Sequence, residues 1–176
     1  MKFIVIGADA AGMSAASRAK RNQPEMDITV LEKTMDVSYS AWGIPYNLAA
    51  PERDIEDLIV RPAQVFRVKQ GINLLTGHCA EKIDPDKQTV SGVTLDGGHF
   101  ELPYDRLLIA TGSSAVLPDL AGFEAPGVMV VKSLEDGRNI KNFLKDKIVK
   151  KAIIIGMGYI ALEMCESLVG LNIAVE

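Results

Sequence analysis

Cysteine and histidine are scarce. The 176 residues hold two of each: Cys79 and Cys165, His78 and His99. Two distant cysteines offer neither metal-like spacing nor a disulfide framework, and they point to a reducing cytoplasm. With so few histidines a metal site or a Ser-His-Asp triad has little to draw on, and no metal ligands are assigned. Basic excess is missing too: the net charge is −4, which gives no electrostatic field for nucleic acid. No apolar run is long enough to span a membrane. The sequence starts directly in a strand pattern, so no secretory leader is expected. What is present, 48% apolar and 24% charged residues, is ordinary for a globular protein. The length suits one domain, or one domain and a piece of another.

The organising stretch is Lys2 to Glu32. Phe3 to Ile6 is a short apolar run closed by Gly7. Small residues, with Asp9 the exception, lead to Gly12, and Met13 to Arg21 reads as an Ala-rich helix. After Pro24, Asp27 to Leu31 is a second buried-strand run ending in Glu32. Strand, glycine turn, helix and strand over this length form a βαβ unit. Gly7 permits a turn that a Cβ would block, and small groups through Ala10, Ala11 and Gly12 let a diphosphate approach the main chain. Glu32 stands about 20 positions past the last glycine, the spacing at which a carboxylate accepts hydrogen bonds from a ribose. Asp9 takes the place of the middle glycine, so its side chain must turn away from an anion. An ordinary βαβ unit without nucleotide is the bland alternative. Lys33 either reaches the adenosine or is simply solvated.

Further along, Ser38 to Leu48 gathers two tyrosines, the only tryptophan, a glycine and a proline. It reads as a rigid wall for a flat ligand or as a turn that buries Trp42 and Tyr46 in the core. Residues 51–70 suggest short helices around Arg61 and Pro62. From Ile72 the period becomes that of strands, and 72–104 reads as an antiparallel meander with a hairpin turn at Asp96, Gly97 and Gly98. Leu107 to Ile109 is a buried strand closed by Ala110, Thr111 and Gly112. Val128 to Val131 reads as a strand, and Ser133 to Asp136 as the cap of a helix with Ile140, Phe143 and Leu144 on one face. Ala152 to Ile155 followed by Gly156, Gly158 and Ala161 is a second dinucleotide-type turn, and Leu162 to Val169 its helix, which Gly170 closes.

These segments together resemble the FAD-dependent pyridine nucleotide-disulfide oxidoreductases, in the branch of coenzyme A-disulfide reductase, NADH oxidase and NADH peroxidase. Gly7 to Ala16 and Ser38 to Tyr46 carry the likeness. The family pattern in the second segment is Ser-Phe/Tyr-x-x-Cys-Gly-x-Pro-Tyr, and its cysteine carries the redox chemistry over the flavin. Trp42 occupies that position, after Ala41, and an indole has no thiolate to offer. The resemblance implies FAD at Gly7, Ala10, Ala11, Gly12, Glu32, Lys33, Ala41 and Trp42. It adds the backbone of Cys79 and Ala80 at the adenine, and Ala110, Thr111 and Gly112 near the pyrophosphate. It implies NAD(P)H at Gly156, Gly158 and Ala161, with Tyr159 covering the nicotinamide and Glu163 near it. The bland alternative for Glu163 is a solvated helix residue.

The implied fold is α/β. A Rossmann-like, glutathione-reductase-like FAD-binding domain (1–115) contains the meander, 116–150 connects, and 151–176 begins a second dinucleotide-binding domain. The resemblance covers this chain but well under half of the family's length, so the chain reads as truncated. That leaves a strand edge to be covered, either by Ala152–Ile155 or by a second chain in a homodimer. Two functions compete. One is an oxidoreductase, or its flavin-binding part, that passes hydride from NAD(P)H to FAD and on to a small-molecule or redox-protein acceptor other than a thiol or disulfide. The other is a nucleotide-binding module without turnover.

Overall fold

Alternation along strand β1 (Lys2–Ile6) builds the first part of the fold. Val5 faces one side, Ile4 and Ile6 the other, and all three are buried. A strand apolar on both faces needs a cover on each. The computed structural model describes residues 1–176 and supplies both covers. β1 pairs in parallel with β2 (Asp27–Glu32) and with β7 (Arg106–Ile109), and β3 (Asn73–Thr76) adds outside β2, giving the order β3-β2-β1-β7. On one face, Val5, Ile28, Val30 and Leu74 cluster with Met13 and Ala16 of helix α1 (Ala10–Asn22). On the other, Ile4, Ile6 and Leu31 cluster with Val90 and with half-buried Phe100 and Leu102. Those last three belong to an antiparallel sheet, β4 (His78–Asp84), β5 (Thr89–Thr94) and β6 (His99–Pro103). α1 forms because alanines dominate it, and Lys20 and Arg21 in its last turn complement the helix dipole.

The meander is shorter than the sequence suggests. Residues 73–76, expected within an antiparallel stretch from 72 to 104, join the parallel sheet instead, in register with Thr29 to Glu32. The reason is two-faced burial: Leu74 goes to the helix side and Leu75 to the meander side. Gly77, at φ 69°, then breaks the run before β4. At the other hairpin Thr94 donates to Asp96, and this hydroxyl, with the Gly98 amide, holds the Asp96 carboxyl below the usual carboxylate range.

The chain divides into two compact units, Met1–Tyr39 with Ile59–Ser113, and Ser40–Leu58 with Ser114–Glu176. The second gathers α2 (Ile44–Leu48), α3 (Leu134–Asp146), β8 (Lys151–Ala152), α4 (Tyr159–Gly170) and β9 (Ala174–Val175). Residues 40–58, read from sequence as part of a 1–115 domain, thus group with the C-terminal residues. Burial explains it: Ile44 and Leu48 cluster with Ile140 of α3 and with Met164 and Leu168 of α4. Polar ties reinforce it. Lys141 Nζ donates to Asn47 Oδ1 at 2.7 Å and to the Arg53 carbonyl, and Arg138 pairs with Glu56 at 2.6 Å. The segment expected to connect, 116–150, contains α3, which opens with the anticipated cap: Ser133 Oγ accepts from the Asp136 amide, and Asp136 Oδ2 from the Ser133 amide.

Three local expectations change. Val128 to Val131 form no strand, because the Val128 amide turns back to the Ala125 carbonyl and no ladder reaches the segment. Gly170 is the last helical residue rather than the cap. Asn172 takes the left-handed position at φ 61°, with its own amide on the Val169 carbonyl and the Ile173 amide on Leu168. Ala152 does not extend the four-stranded sheet. β8 pairs in parallel with β9, and the Ile154 amide donates to the Glu176 carbonyl, so the returning strand after α4 supplies the partner. No helix is long and apolar enough to cross a membrane.

Candidate dinucleotide-binding turns

The first turn begins where β1 ends. Gly7 takes φ 106°, and a Cβ there would overlap the carbonyl of Ala110, the residue that follows β7. Gly12 is as constrained: a Cβ on it would overlap the Gly7 carbonyl, so α1 can start this close to the strand only with glycine. The Ala110 amide donates to the Ile6 carbonyl and fixes the Ala110–Thr111–Gly112 end beside Gly7. Thr111 and Gly112 are exposed, with Gly112 at φ 67° in open space. Ala10 and Ala11 are exposed on the first turn of α1, and Gly12 is buried. The amides of these three residues precede the first bond within α1, from Met13 to Asp9, so the helix itself offers them no acceptor. Asp9 does not cap the helix; its Oδ1 accepts from the Tyr39 amide at 3.2 Å.

Glu32 is held in place by its neighbours. Oε2 accepts from the Ala8 amide at 2.9 Å, and Oε1 from the Thr34 amide and hydroxyl, each at 2.9 Å. Each carboxylate oxygen accepts about two bonds, so Oε2 keeps capacity for a hydroxyl donor. Lys33 is exposed. Glu32 stands in register with Thr76, and the Gly77 amide donates to the Thr34 carbonyl. This holds the start of β4, with half-buried Cys79 and Ala80, next to the end of β3. The facing strand packs closely on it: a Cβ at Gly92 of β5 would overlap the Cys79 carbonyl. A shallow hollow of about 430 Å³ elsewhere on the meander, between Glu81, His99 and Glu101, includes none of these residues.

In the second unit, Ala41 and Trp42 lie in a single 3-10 turn, Ala41–Gly43, that runs into α2. The core alternative fails for Trp42, which is 66% exposed. It fails for Tyr46 as well, which is largely exposed. Gly156 takes φ 128° and Gly158 φ −79°, and nothing approaches a Cβ built on either. Tyr159 is 76% exposed at the start of α4, and Ala161 is half-buried. Glu163 is no freely solvated helix residue: its Oε1 accepts from the Tyr46 hydroxyl at 3.3 Å, and its Oε2 is buried. The charge of Glu163 raises the Tyr46 phenol above its ordinary pKa.

Spacing pointed to the glycines, Glu32 and Glu163 as candidates but gave no hint of the side chains that contact the two acids. Thr34 had a local signal, a hydroxyl two residues past the acid. Tyr46 had none, because its partner is remote in sequence.

A parallel α/β sheet with a small-residue turn and a tethered acid, and a second βαβ unit with its own glycine turn, define a dinucleotide-binding protein. The family model for pyridine nucleotide-disulphide oxidoreductases matches residues 1–176, and the chain belongs to that family. It is 38% identical over 170 residues to an NAD(P)H sulfur oxidoreductase (CoA-dependent) of Pyrococcus furiosus, covering 96% of this chain and 37% of that one. It is 32% identical over 168 residues to an NADH oxidase of Methanocaldococcus jannaschii, covering 96% and 38%. The chain therefore spans less than two fifths of the length of these relatives. Among solved structures, the NAD-dependent persulfide reductase from A. fulgidus matches with a TM-score of 0.94 at 36% identity, covering 99% of this chain and 32% of that one. The water-forming NADH oxidase from Lactobacillus brevis, bound to NADH, matches at 0.91 and 27%, covering 99% and 38%.

Proposed function

We propose that this chain binds FAD at the Gly7–Gly12 turn and NAD(P)H at the Gly156–Ala161 turn, as part of a flavoprotein oxidoreductase. Bound together, the two cofactors supply hydride transfer from nicotinamide to flavin. The chain's own residues bind and orient. The amides of Ala10, Ala11 and Gly12, with the positive end of α1, hold a diphosphate. Glu32 accepts a ribose hydroxyl, and Lys33 lies beside it. The Cys79–Ala80 backbone borders the adenine, and Ala110, Thr111 and Gly112 close the phosphate side. Tyr159 and Glu163 serve the nicotinamide. Ala41 and Trp42 line the flavin. The observation that carries this reading is Glu32, fixed by the Ala8 amide and Thr34 at the end of the glycine turn.

The acceptor is a small molecule or a redox protein rather than a thiol or disulfide. Trp42 has no sulfur to attack one. A cytoplasmic location and a homodimer belong to the same reading. The missing thiol at Trp42 also favours a second reading, a nucleotide-binding module without turnover. An absorption spectrum of the purified chain separates them. Flavin bands that NADH bleaches without oxygen are expected. A colourless chain that takes up no added FAD overturns the first reading.

A further inference from the structure

Segment 40–58 has little structure of its own. It closes at its base, where the Ser40 amide donates to the Leu58 carbonyl at 2.8 Å. Between these ends lie the Ala41–Gly43 turn, α2 and a second 3-10 turn, Ile55–Leu58. Elements this short need tertiary partners. After α2 the Ala50 amide donates to the Asn47 carbonyl and the Arg53 amide to the Ala50 carbonyl. The carbonyls of Asn47, Ala50 and Arg53 converge on one cation, the Lys141 ammonium of α3, and Asn47 Oδ1 joins them at 2.7 Å. Asn47 is buried, and its Nδ2 donates to the Asp54 carbonyl. A second feature of α3 serves the same segment. Gly137, one helical turn before Lys141, lies against Ile44 and Ile55, and a Cβ on it would meet their side chains at 3.3 and 3.1 Å. Glycine inside a helix is destabilising, so this face of α3 gives up helix stability for a close fit to the segment. At the end of the returning limb, Leu58 Cδ2 lies 2.6 Å from where a Cβ on Gly43 would be. That limb therefore abuts the turn that holds Ala41 and Trp42.

We propose that Lys141 is a positioning residue for the flavin: from α3 its ammonium locks the returning limb of segment 40–58, and through Leu58 the Ala41–Gly43 turn, in one conformation before the cofactor arrives. The inference rests on the reading of Ala41 and Trp42 as flavin-lining and adds to it a residue from a remote element. An ammonium has three N–H donors and no preferred plane, which suits acceptors that converge from several directions. Without it the carbonyls and the Asn47 side chain lose their common donor, and the limb opens to water to satisfy them. The turn is then mobile, and a flavin must order it on binding. A ligand that ends at the diphosphate meets no such cost.

Titration of the chain with FAD, followed by flavin fluorescence anisotropy, tests this. Displacement of FAD by ADP, which keeps the adenosine and diphosphate but has no flavin, gives the affinity of the same turn for the other half of the ligand. Lys141→Met keeps the stem and removes the charge. It is expected to weaken FAD roughly ten-fold and leave ADP unchanged. Trp42, the only tryptophan, reports the turn itself, and its anisotropy in the ligand-free variant is expected to fall. Lys141→Ala carries the test if the Met variant does not fold. There n-propylammonium supplies the missing atoms and is expected to restore FAD affinity, whereas tetramethylammonium, which has no N–H, is not. Unchanged FAD affinity, unchanged Trp42 anisotropy or equal rescue by the two ions overturns the inference. So does a parallel loss for FAD and ADP, the pattern of a merely structural lysine. If the unaltered chain holds FAD no more tightly than ADP, Ala41 and Trp42 do not meet the flavin, and this inference falls while the nucleotide turn stands. If it takes up no FAD, the reading of the turn itself fails.

Discussion

The two glycine turns share a sequence signature but not a physical situation. At the first, glycine is demanded by neighbours. Gly7 abuts the Ala110 carbonyl, and Gly12 abuts the Gly7 carbonyl, because β1 lies inside a four-stranded sheet with α1 pressed on it. At the second, Gly156 and Gly158 meet nothing, and β8 has one short partner strand. Ile153 and Ile155, between that strand and Gly156, are exposed, whereas Ile4 and Ile6, the residues of β1 at the same distances before Gly7, are buried. A glycine in such a motif therefore serves two separable needs. One is packing of strand, turn and helix. The other is an open approach for a ligand. The first turn shows the packing need in full, so stability should depend on the motif more there than at the second.

The sharpest way to break this contrast is Gly12→Ala. Its methyl group would overlap backbone, which cannot move aside as a flexible side chain can. Helix α1 must shift off Val5 and Ala8, both fully buried, so a loss of about 3 kcal/mol or more is expected. Urea denaturation of the full chain followed by circular dichroism measures it. Trp42, the only tryptophan, belongs to the second unit, so its fluorescence reports that unit separately. A Gly12→Ala chain as stable as the original would remove the distinction between the two turns.

Gly156→Ala comes next. Nothing clashes with the new methyl group, but φ 128° is a conformation that side chains rarely adopt. Strain alone is expected to cost about 1–2 kcal/mol, visible in the Trp42 fluorescence transition. A loss as large as that of Gly12→Ala would mean that the second turn is packed as tightly as the first.

The same distinction decides what was legible in the sequence. The β1–α1–β2 unit could be read because strand, turn, helix and acid follow one another locally, and each step has its own chemistry. The cap at Ser133 and Asp136 was readable for the same reason. The sheet that takes Asn73–Thr76 was not, since a four-residue run with Leu74 and Leu75 between two polar residues suits a parallel edge and an antiparallel meander equally. Nor was the grouping of residues 40–58 with α3 and α4. It depends on Ile44 and Leu48 finding Ile140 and Met164, and on Lys141 finding Asn47 and Arg53, all tertiary choices. Glu32 was found as an acid at the right spacing, but spacing gives no hint that it occupies the Ala8 amide. That amide is consequently not one of those available to a phosphate.

The smallest effect on stability is expected from Gly158→Ala, and it isolates the second need. Gly158 precedes α4 at φ −79° and ψ 172°, an extended conformation open to any residue, and its Cβ would project into empty space. Folding should change by no more than about 0.5 kcal/mol. If the turn takes a diphosphate, however, the empty space is where it must come, and a methyl group holds it off the amides at the start of α4. The expected pattern is an unmoved Trp42 transition together with a clear loss of ADP-ribose affinity by calorimetry. A chain that keeps both stability and affinity would show the space beside Gly158 to be incidental. Loss of affinity without loss of stability would show that this glycine is retained for a ligand and not for the fold.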